Sequence, residues 1–255
     1  AQVMGWLGQP DVLVQGGADP HDYQMRPSQA RAVEAADLVI WVGPELTPWL
    51  GRVLDRMGGG ARLGLLADPG TPRRPYDGAN GDSGATDPHA WLDPVLVEGW
   101  VRAIRDALTA ADPGHADQYA ANAARLMADL DRLNAQTAAT LARVKGPIVV
   151  GHGAFGYFAA RYRLVIAAAI QDGEAVAPGA AHLSRVRALL TKGEVACVFP
   201  VAGQDPAQAA QMVEGTGARL GPPLDPEAVA LAPGANLYQR LIGGLADAIA
   251  ACAGG

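Results

Sequence analysis

The middle of the chain carries the segment Pro147-Ile148-Val149-Val150-Gly151-His152-Gly153-Ala154-Phe155-Gly156-Tyr157-Phe158. Its apolar, β-branched start is typical of a strand that is buried in a parallel sheet. The glycines that follow indicate a tight turn, and apolar residues at helical spacing begin at Phe158. We therefore predict a strand, a turn and a helix in direct succession, with His152 in the turn.

Three interpretations of this turn are open on these residues alone. Gly151, Gly153 and Gly156 spell G-x-G-x-x-G, and Asp172 lies near the ~20-residue distance at which a dinucleotide-binding fold places its ribose-binding acid. That pattern favours an NAD-binding oxidoreductase. In the second interpretation, the glycines let a ligand approach the imidazole of His152 at the end of a buried strand. In the third, the histidine only stabilises a tight turn.

Strand patterns alternate with helix patterns on both sides of this segment, beginning with a short strand that we expect over residues 11–15. A helical pattern that follows Asp112-Pro113 continues for about thirty residues, or roughly 45 Å at 1.5 Å per residue. Such a helix is typical of a strut between two lobes. We predict an α/β protein with two Rossmann-like lobes joined by one long rigid helix. The predicted parts are an N-terminal lobe over 1–111, the helix over 112–145 and a C-terminal lobe over 146–255.

Composition and charge exclude several kinds of partner. The chain has 255 residues, a net charge of -6 and a pI near 5.3, so it offers no cationic surface for nucleic acid. No apolar run approaches the ~20 residues that a membrane helix needs. Because the first residues read as if they begin in mid-helix, we expect further residues upstream of them, so the lack of a signal peptide in this sequence has no significance.

The histidines suggest a metal site. The chain has five of them, His21, His89, His115, His152 and His182. The first, second and fourth lie in turns that glycine or proline marks, where open α/β sheets bind ligands. Two from one lobe and one from the other would form an interlobe site, and three neutral imidazoles suit zinc. We expect the remaining two histidines to lie at the surface or to cap helices.

Asp225 is the candidate for a fourth ligand, since it also lies in a turn after a strand. Alternatively, Asp225 and Pro226 only mark the start of a helix, because Asp-Pro recurs in this role at other positions of the chain. If Asp225 instead activated a zinc-bound water, the protein would be a zinc-dependent hydrolase. Asp22 or Asp93 is a candidate to orient a ligand imidazole, and the competing interpretation of both residues is that they cap loops. Cys197 and Cys252 form either a disulfide between a strand and the terminal helix or two buried thiols.

Several segments together resemble a known family. They are Gly17-Ala18-Asp19-Pro20-His21-Asp22-Tyr23, Ala36-Asp37-Leu38-Val39-Ile40-Trp41-Val42-Gly43-Pro44-Glu45, Asp87-Pro88-His89-Ala90-Trp91-Leu92-Asp93-Pro94, His152-Gly153-Ala154-Phe155-Gly156-Tyr157-Phe158 and Leu224-Asp225-Pro226. In this order they are similar to the zinc-specific substrate-binding proteins of bacterial ABC importers, in the cluster A-I metal-binding family. The resemblance implies two α/β lobes with a metal in the cleft between them. It assigns metal ligation to His21, His89, His152 and Asp225.

The resemblance also implies a function. A protein of this family captures zinc with high affinity in the periplasm as a monomer, without catalysis, and delivers it to a membrane permease; a periplasmic zinc-donor protein is a further expected partner. Manganese-binding relatives have a carboxylate where this chain has His152, so the histidine favours zinc. The family's zinc-binding members have a disulfide at the positions of Cys197 and Cys252. One departure is the loop over 68–87, which is short and contains no histidine, whereas many zinc importers carry a long His-rich loop there.

Overall fold

The computed structural model describes residues 1–14, 18–56, 60–76, 85–171 and 178–254. The chain divides into two compact units. The first comprises Ala1–Arg73 and Asp93–Asn134, and the second comprises Arg74–Leu92 and Ala135–Gly255. The three-part division that we predict from the sequence remains a prediction.

The first unit is built on a parallel strand pair. Strand β1 (Leu38–Trp41) pairs with β2 (Ala61–Gly64) in parallel, from Leu38 opposite Ala61 to Trp41 opposite Gly64. Its helices are α1 (Pro27–Ala35), α2 (Pro48–Arg56) and α3 (Pro94–Ala111), with 3-10 turns at Gly5–Leu7, Leu65–Ala67 and Pro113–His115. A strand was expected over 11–15, but the described residues 11–14 adopt no strand.

Proline and aspartate start the helices of this unit as their chemistry predicts. Pro27 and Pro94 occupy the first turns of α1 and α3, where a missing N–H costs nothing. Asp93 caps α3, because its side chain accepts the N–H of Val95 at 3.0 Å. The core of the unit includes the buried side chains of Val33, Leu50 and Leu54.

The long helix of the prediction is α4 (Ala116–Leu141), which has 26 residues. At 1.5 Å per residue it is about 39 Å long. Its residues up to Asn134 belong to the first unit and the rest to the second. Among the residues that the structure describes, no helix is both long enough and apolar enough to cross a membrane.

The second unit contains a parallel sheet of four strands in the order β4-β3-β5-β6. The strands are β3 (Ile148–His152), β4 (Ile166–Gln171), β5 (Cys197–Phe199) and β6 (Arg219–Leu220), and the helices are α5 (Gly156–Tyr162), α6 (Ala180–Thr191), α7 (Ala207–Val213) and α8 (Leu237–Ala253). A further 3-10 turn spans Ala90–Leu92. The segment from Pro147 to Phe158 thus forms the strand, turn and helix that it predicts, and the α/β class is confirmed.

A disulfide joins Cys197 of β5 to Cys252 of α8. Both cysteines are buried, and their bond connects the sheet to the last helix of the chain. The disulfide implied by the family resemblance is therefore present.

Candidate metal site

His152 is the last residue of β3, where it lies opposite Gln171 of β4. The three residues Ile148 to Val150 are at most 1% exposed, so a rigid, buried strand holds the backbone of the histidine. Gly151 is required by close packing. A Cβ atom there would lie 2.7 Å from Val201 Cγ2 and 3.0 Å from Val201 N. Close packing against Val201 explains this glycine without a ligand. Asp172, which the dinucleotide interpretation needs, lies outside the described residues.

His89 is fully buried and is held by Asp87, whose side chain is fully buried too. Asp87 Oδ1 accepts the backbone N–H of His89 at 2.9 Å and lies 2.7 Å from the ring atom Nδ1. An ionised carboxylate only accepts hydrogen bonds, so the ring donates through Nδ1. The lone pair that a metal requires is then on Nε2.

Aromatic side chains surround the ring of His89 within the second unit. The ring of Trp91 has its centroid 5.0 Å from that of His89, and the ring of Tyr76 lies 6.1 Å away. The rings of His89 and His152 are 5.3 Å apart at an interplanar angle of 78°. The two imidazoles therefore approach each other edge to face.

Three possible ligands converge in the second unit, namely His89, His152 and Glu227. One nitrogen or oxygen atom from each lies within 4.8 Å of the corresponding atoms of the others. Donor atoms that bind one zinc ion at 2.0–2.2 Å are about 3.4 Å from each other. The three atoms would therefore have to move only slightly closer together to reach the spacing of zinc ligands. Two imidazole nitrogens and a carboxylate oxygen form a donor set that zinc accepts readily.

Asp225 has a different local role from Glu227 in the same turn. Its Oδ1 accepts the N–H of Val229 and its Oδ2 accepts the N–H of Ala230, both at 2.9 Å. Asp225 therefore organises the backbone of this turn, but the helix start that the Asp-Pro signal predicts is wrong, since the next described helix, α8, begins at Leu237. The metal ligation of Asp225 remains a prediction.

His21 belongs to the first unit, in a loop that the side chain of Trp49 anchors. The indole N–H of Trp49 donates to Pro20 O at 2.8 Å, and the ring of Tyr23 lies 5.4 Å from that of Trp49. Asp19 accepts the backbone N–H of His21 at 2.8 Å. Trp49 of α2 therefore positions this loop, in which His21 is half-buried.

Asp87, and not Asp22 or Asp93 as expected, orients the imidazole of His89. Asp22 is exposed, and Asp93 caps α3. The sequence does contain a signal for Asp87, since an aspartate two residues before a turn histidine can bond both its N–H and its ring. Glu227 carries no comparable signal, because it belongs to no motif or periodic pattern.

The two remaining histidines lie away from this cluster of residues. His115 is exposed, and its Nδ1 lies 2.7 Å from Asp112 Oδ2 at the start of α4, as expected of a surface histidine. His182 is near the start of α6, but it is buried, with Nε2 2.9 Å from Ala169 O. The expectation of a surface or capping role is therefore wrong for His182, which stabilises the packing of α6 against β4.

Comparisons with known proteins agree over nearly the whole chain. Residues 1–252 match the family described as zinc-uptake complex component A, periplasmic (ZnuA). The high-affinity zinc uptake system protein ZnuA of Paracoccus denitrificans is 40% identical over 285 residues, which cover 99% of this chain and 87% of that protein.

Solved structures give the same result. A crystal structure of ZnuA has a TM-score of 0.83 at 27% identity and covers 99% of this chain and 93% of its own. A ZnuA deletion mutant with zinc bound also has a TM-score of 0.83, at 26% identity, with 99% and 92% covered. The chain is thus similar in sequence and fold to proteins named for zinc uptake.

Proposed function

Because the chain belongs to the family of the periplasmic zinc-uptake component ZnuA, we propose that it captures zinc with high affinity and delivers it to the permease of an ABC importer. The observation that carries this proposal is the convergence of His89, His152 and a carboxylate at the carboxyl end of β3. Zinc is the cargo of the protein, so binding must be tight and also reversible at the permease. On this proposal the protein works as a monomer, and a periplasmic zinc-donor protein is a second partner.

We propose that His21 is the third imidazole that binds zinc. The family resemblance supports this role, since it matches His21, His89 and His152 to the family's ligands. For the fourth donor, the resemblance favours Asp225. Four protein ligands would replace the water molecules of the ion and close its coordination shell.

Asp87 contributes to capture by holding His89 ready for the metal. The ring is bonded at Nδ1 before zinc arrives, so little rotational freedom is lost on binding. The negative charge of Asp87 also makes Nε2 more basic and therefore a stronger donor to zinc. Burial of both side chains strengthens this interaction.

The family is one of zinc-binding transport components and not of enzymes. We extend this statement to the chain and propose that it has no hydrolase activity. Catalytic zinc keeps an open position for water, whereas a shell of three imidazoles and one carboxylate has none. Asp225, the base of the hydrolase alternative, has both carboxylate oxygens bonded to backbone N–H groups, an arrangement that suits a structural carboxylate better than a mobile base.

Thermal melts of metal-stripped protein test the proposed function. A ligand that binds only the folded state adds about 4 kcal/mol at ~1,000 times its dissociation constant. We expect a large rise of the melting midpoint with zinc, a smaller one with manganese and none with NAD. His152→Ala should abolish the zinc shift, while His115→Ala, at the exposed histidine, should leave it intact. A rise with NAD and none with zinc would overturn the proposal in favour of a dinucleotide site.

A further inference from the structure

The turn that follows β6 is attached firmly to the second unit at its start. Leu224 is buried and donates its N–H to Pro200 O at 2.9 Å, while its carbonyl accepts the N–H of Ala202 at 2.8 Å. These bonds continue the parallel pairing of the sheet, with Val201 and Leu224 as a bridge. The backbone therefore enters the turn in a fixed direction.

Asp225 and Ala228 shape the turn itself. The two carboxylate oxygens of Asp225 bind the N–H groups of Val229 and Ala230, which draws the chain back over the aspartate. Ala228 has a φ of 59°, in the left-handed region that disfavours residues with a Cβ. A non-glycine residue stays in this conformation only when its surroundings impose it. The imposed conformation sets the direction of the neighbouring residue, Glu227.

The turn is also tied to the segment that carries His89. The carbonyl of Pro226, the residue before Glu227, accepts the indole N–H of Trp91 at 2.9 Å. Trp91 lies against the ring of His89, and its own carbonyl accepts the hydroxyl of Tyr238 at 2.8 Å. One side chain thus fixes the distance between the backbone of Glu227 and the imidazole of His89.

We infer that Glu227 supplies the carboxylate ligand of the zinc site and that Asp225 is a positioning residue that shapes the turn. This inference rests on the proposed function. Glu227 offers an oxygen within 4.8 Å of the donor atoms of His89 and His152, whereas both oxygens of Asp225 already accept backbone hydrogen bonds. The single negative charge of Glu227 offsets half of the charge of the ion, which neutral imidazoles do not.

A matched pair of isosteric variants, Glu227→Gln and Asp225→Asn, tests this assignment in the full chain. Zinc affinity is measured by competition with a chelator. The visible absorption of Co²⁺, bound in place of zinc, reports which residues ligate the metal. The melting midpoint of the metal-free protein reports folding. We expect Glu227→Gln to weaken zinc binding by at least about 100-fold, more than loss of an outer-shell partner usually costs, and to change the Co²⁺ spectrum. Its metal-free midpoint should stay within about 1 °C of the parent, because glutamine has nearly the same shape as glutamate and the turn keeps its bonds to Asp225.

Asp225→Asn should behave in the opposite way. Loss of one of the two acceptor oxygens of the half-buried Asp225 should lower the metal-free midpoint by about 2–4 °C, with zinc affinity reduced by no more than about 10-fold and the Co²⁺ spectrum unchanged. If Asp225→Asn fails to fold, Glu227→Gln alone decides. Parent-like zinc affinity and spectrum in Glu227→Gln would overturn the inference while the proposed function stands. An absence of zinc binding in the parent protein would overturn the proposed function itself.

Discussion

Asp87 Oδ1 lies 2.7 Å from Nδ1 of His89, and both side chains are wholly buried. Asp87→Asn should weaken zinc binding by about 10–100-fold, as loss of such a partner does in other metal sites, because an amide no longer stabilises the donating Nδ1. Chelator competition measures this change. Asp93→Asn is the matched control, since asparagine caps a helix as well as aspartate does, and its zinc affinity should equal that of the parent. Equal losses in both variants would contradict a specific role for Asp87.

Replacement of Gly151 should destabilise the protein because there is no space for a side chain. The added Cβ of Gly151→Ala would lie 2.7 Å from Val201 Cγ2, an overpacking that costs about 1–3 kcal/mol. Denaturation of the metal-free protein in urea measures the loss. Gly99→Ala is the control, because nothing lies within 4 Å of its added Cβ in α3; it should raise the free energy of unfolding by about 0.5–1 kcal/mol. A neutral Gly151→Ala would contradict the packing role of this glycine.

Removal of the disulfide should lower stability without changing the zinc ligands. The bond spans a sequence separation of 55, for which the chain-entropy estimate is about 4 kcal/mol. We expect the double variant Cys197→Ala, Cys252→Ala to unfold at a lower urea concentration and to bind zinc with unchanged affinity when folded. Reduction of the parent protein should produce the same loss, and the variant should be insensitive to reductant. Equal stability of parent and variant would contradict the prediction.

Replacement of Arg163 by glycine should stabilise the protein. It ends α5 with a φ of 57°, and its N–H bonds to Ala159 O, so it occupies the position that glycine favours after a helix. Arg163→Gly should raise the free energy of unfolding by about 1 kcal/mol, as measured in urea. Arg163→Ala keeps the Cβ and removes only the exposed side chain, so it should change little. If both variants gained equally, the effect would come from the guanidinium and not from the backbone.

A surface cluster at the start of α4 should show a measurable change in acid titration. The hydroxyl of Tyr119 donates to Asp112, and His115 bonds to the same carboxylate; together they lower the pKa of Asp112. The unfolded chain therefore takes up this proton more readily, so the carboxylate stabilises the fold above its unfolded pKa and loses this effect as pH falls through the folded pKa. Tyr119→Phe should raise the pKa of Asp112 in an NMR titration and weaken the pH dependence of stability below neutrality. His115→Ala should give a smaller rise, and no change in Tyr119→Phe would contradict the assignment.

The residues around His152 could be predicted from sequence because their pattern and their environment agree. A run of β-branched residues suits only a buried strand, and the glycines permit only a tight turn, so β3 and α5 follow. The predicted strand over 11–15 lacks such a constraint, since Asp11 and Gln15 bound an apolar stretch of only three residues. Its described part forms no strand.

The carboxylates of the site could not be ranked from the sequence. Asp225 stands in a motif and draws attention for that reason, whereas the place of Glu227 depends on the left-handed backbone of Ala228 and on a bond from Trp91 to Pro226. Those contacts join residues far apart in the chain. Asp87 stands only two residues before His89, so the sequence contains a signal for its role, but its complete burial becomes evident only when the surrounding side chains are in place.

The second unit takes one segment, Arg74–Leu92, from between two parts of the first. His89 therefore leaves the ribosome well before Glu227. At 5–20 residues per second the interval is roughly seven to thirty seconds. During that time Trp91 has neither Pro226 nor Tyr238 to bond. A nascent chain accordingly has no assembled cluster of His89, His152 and Glu227 until Glu227 has been synthesised, and the capacity to hold an ion with all three residues arises only after that point.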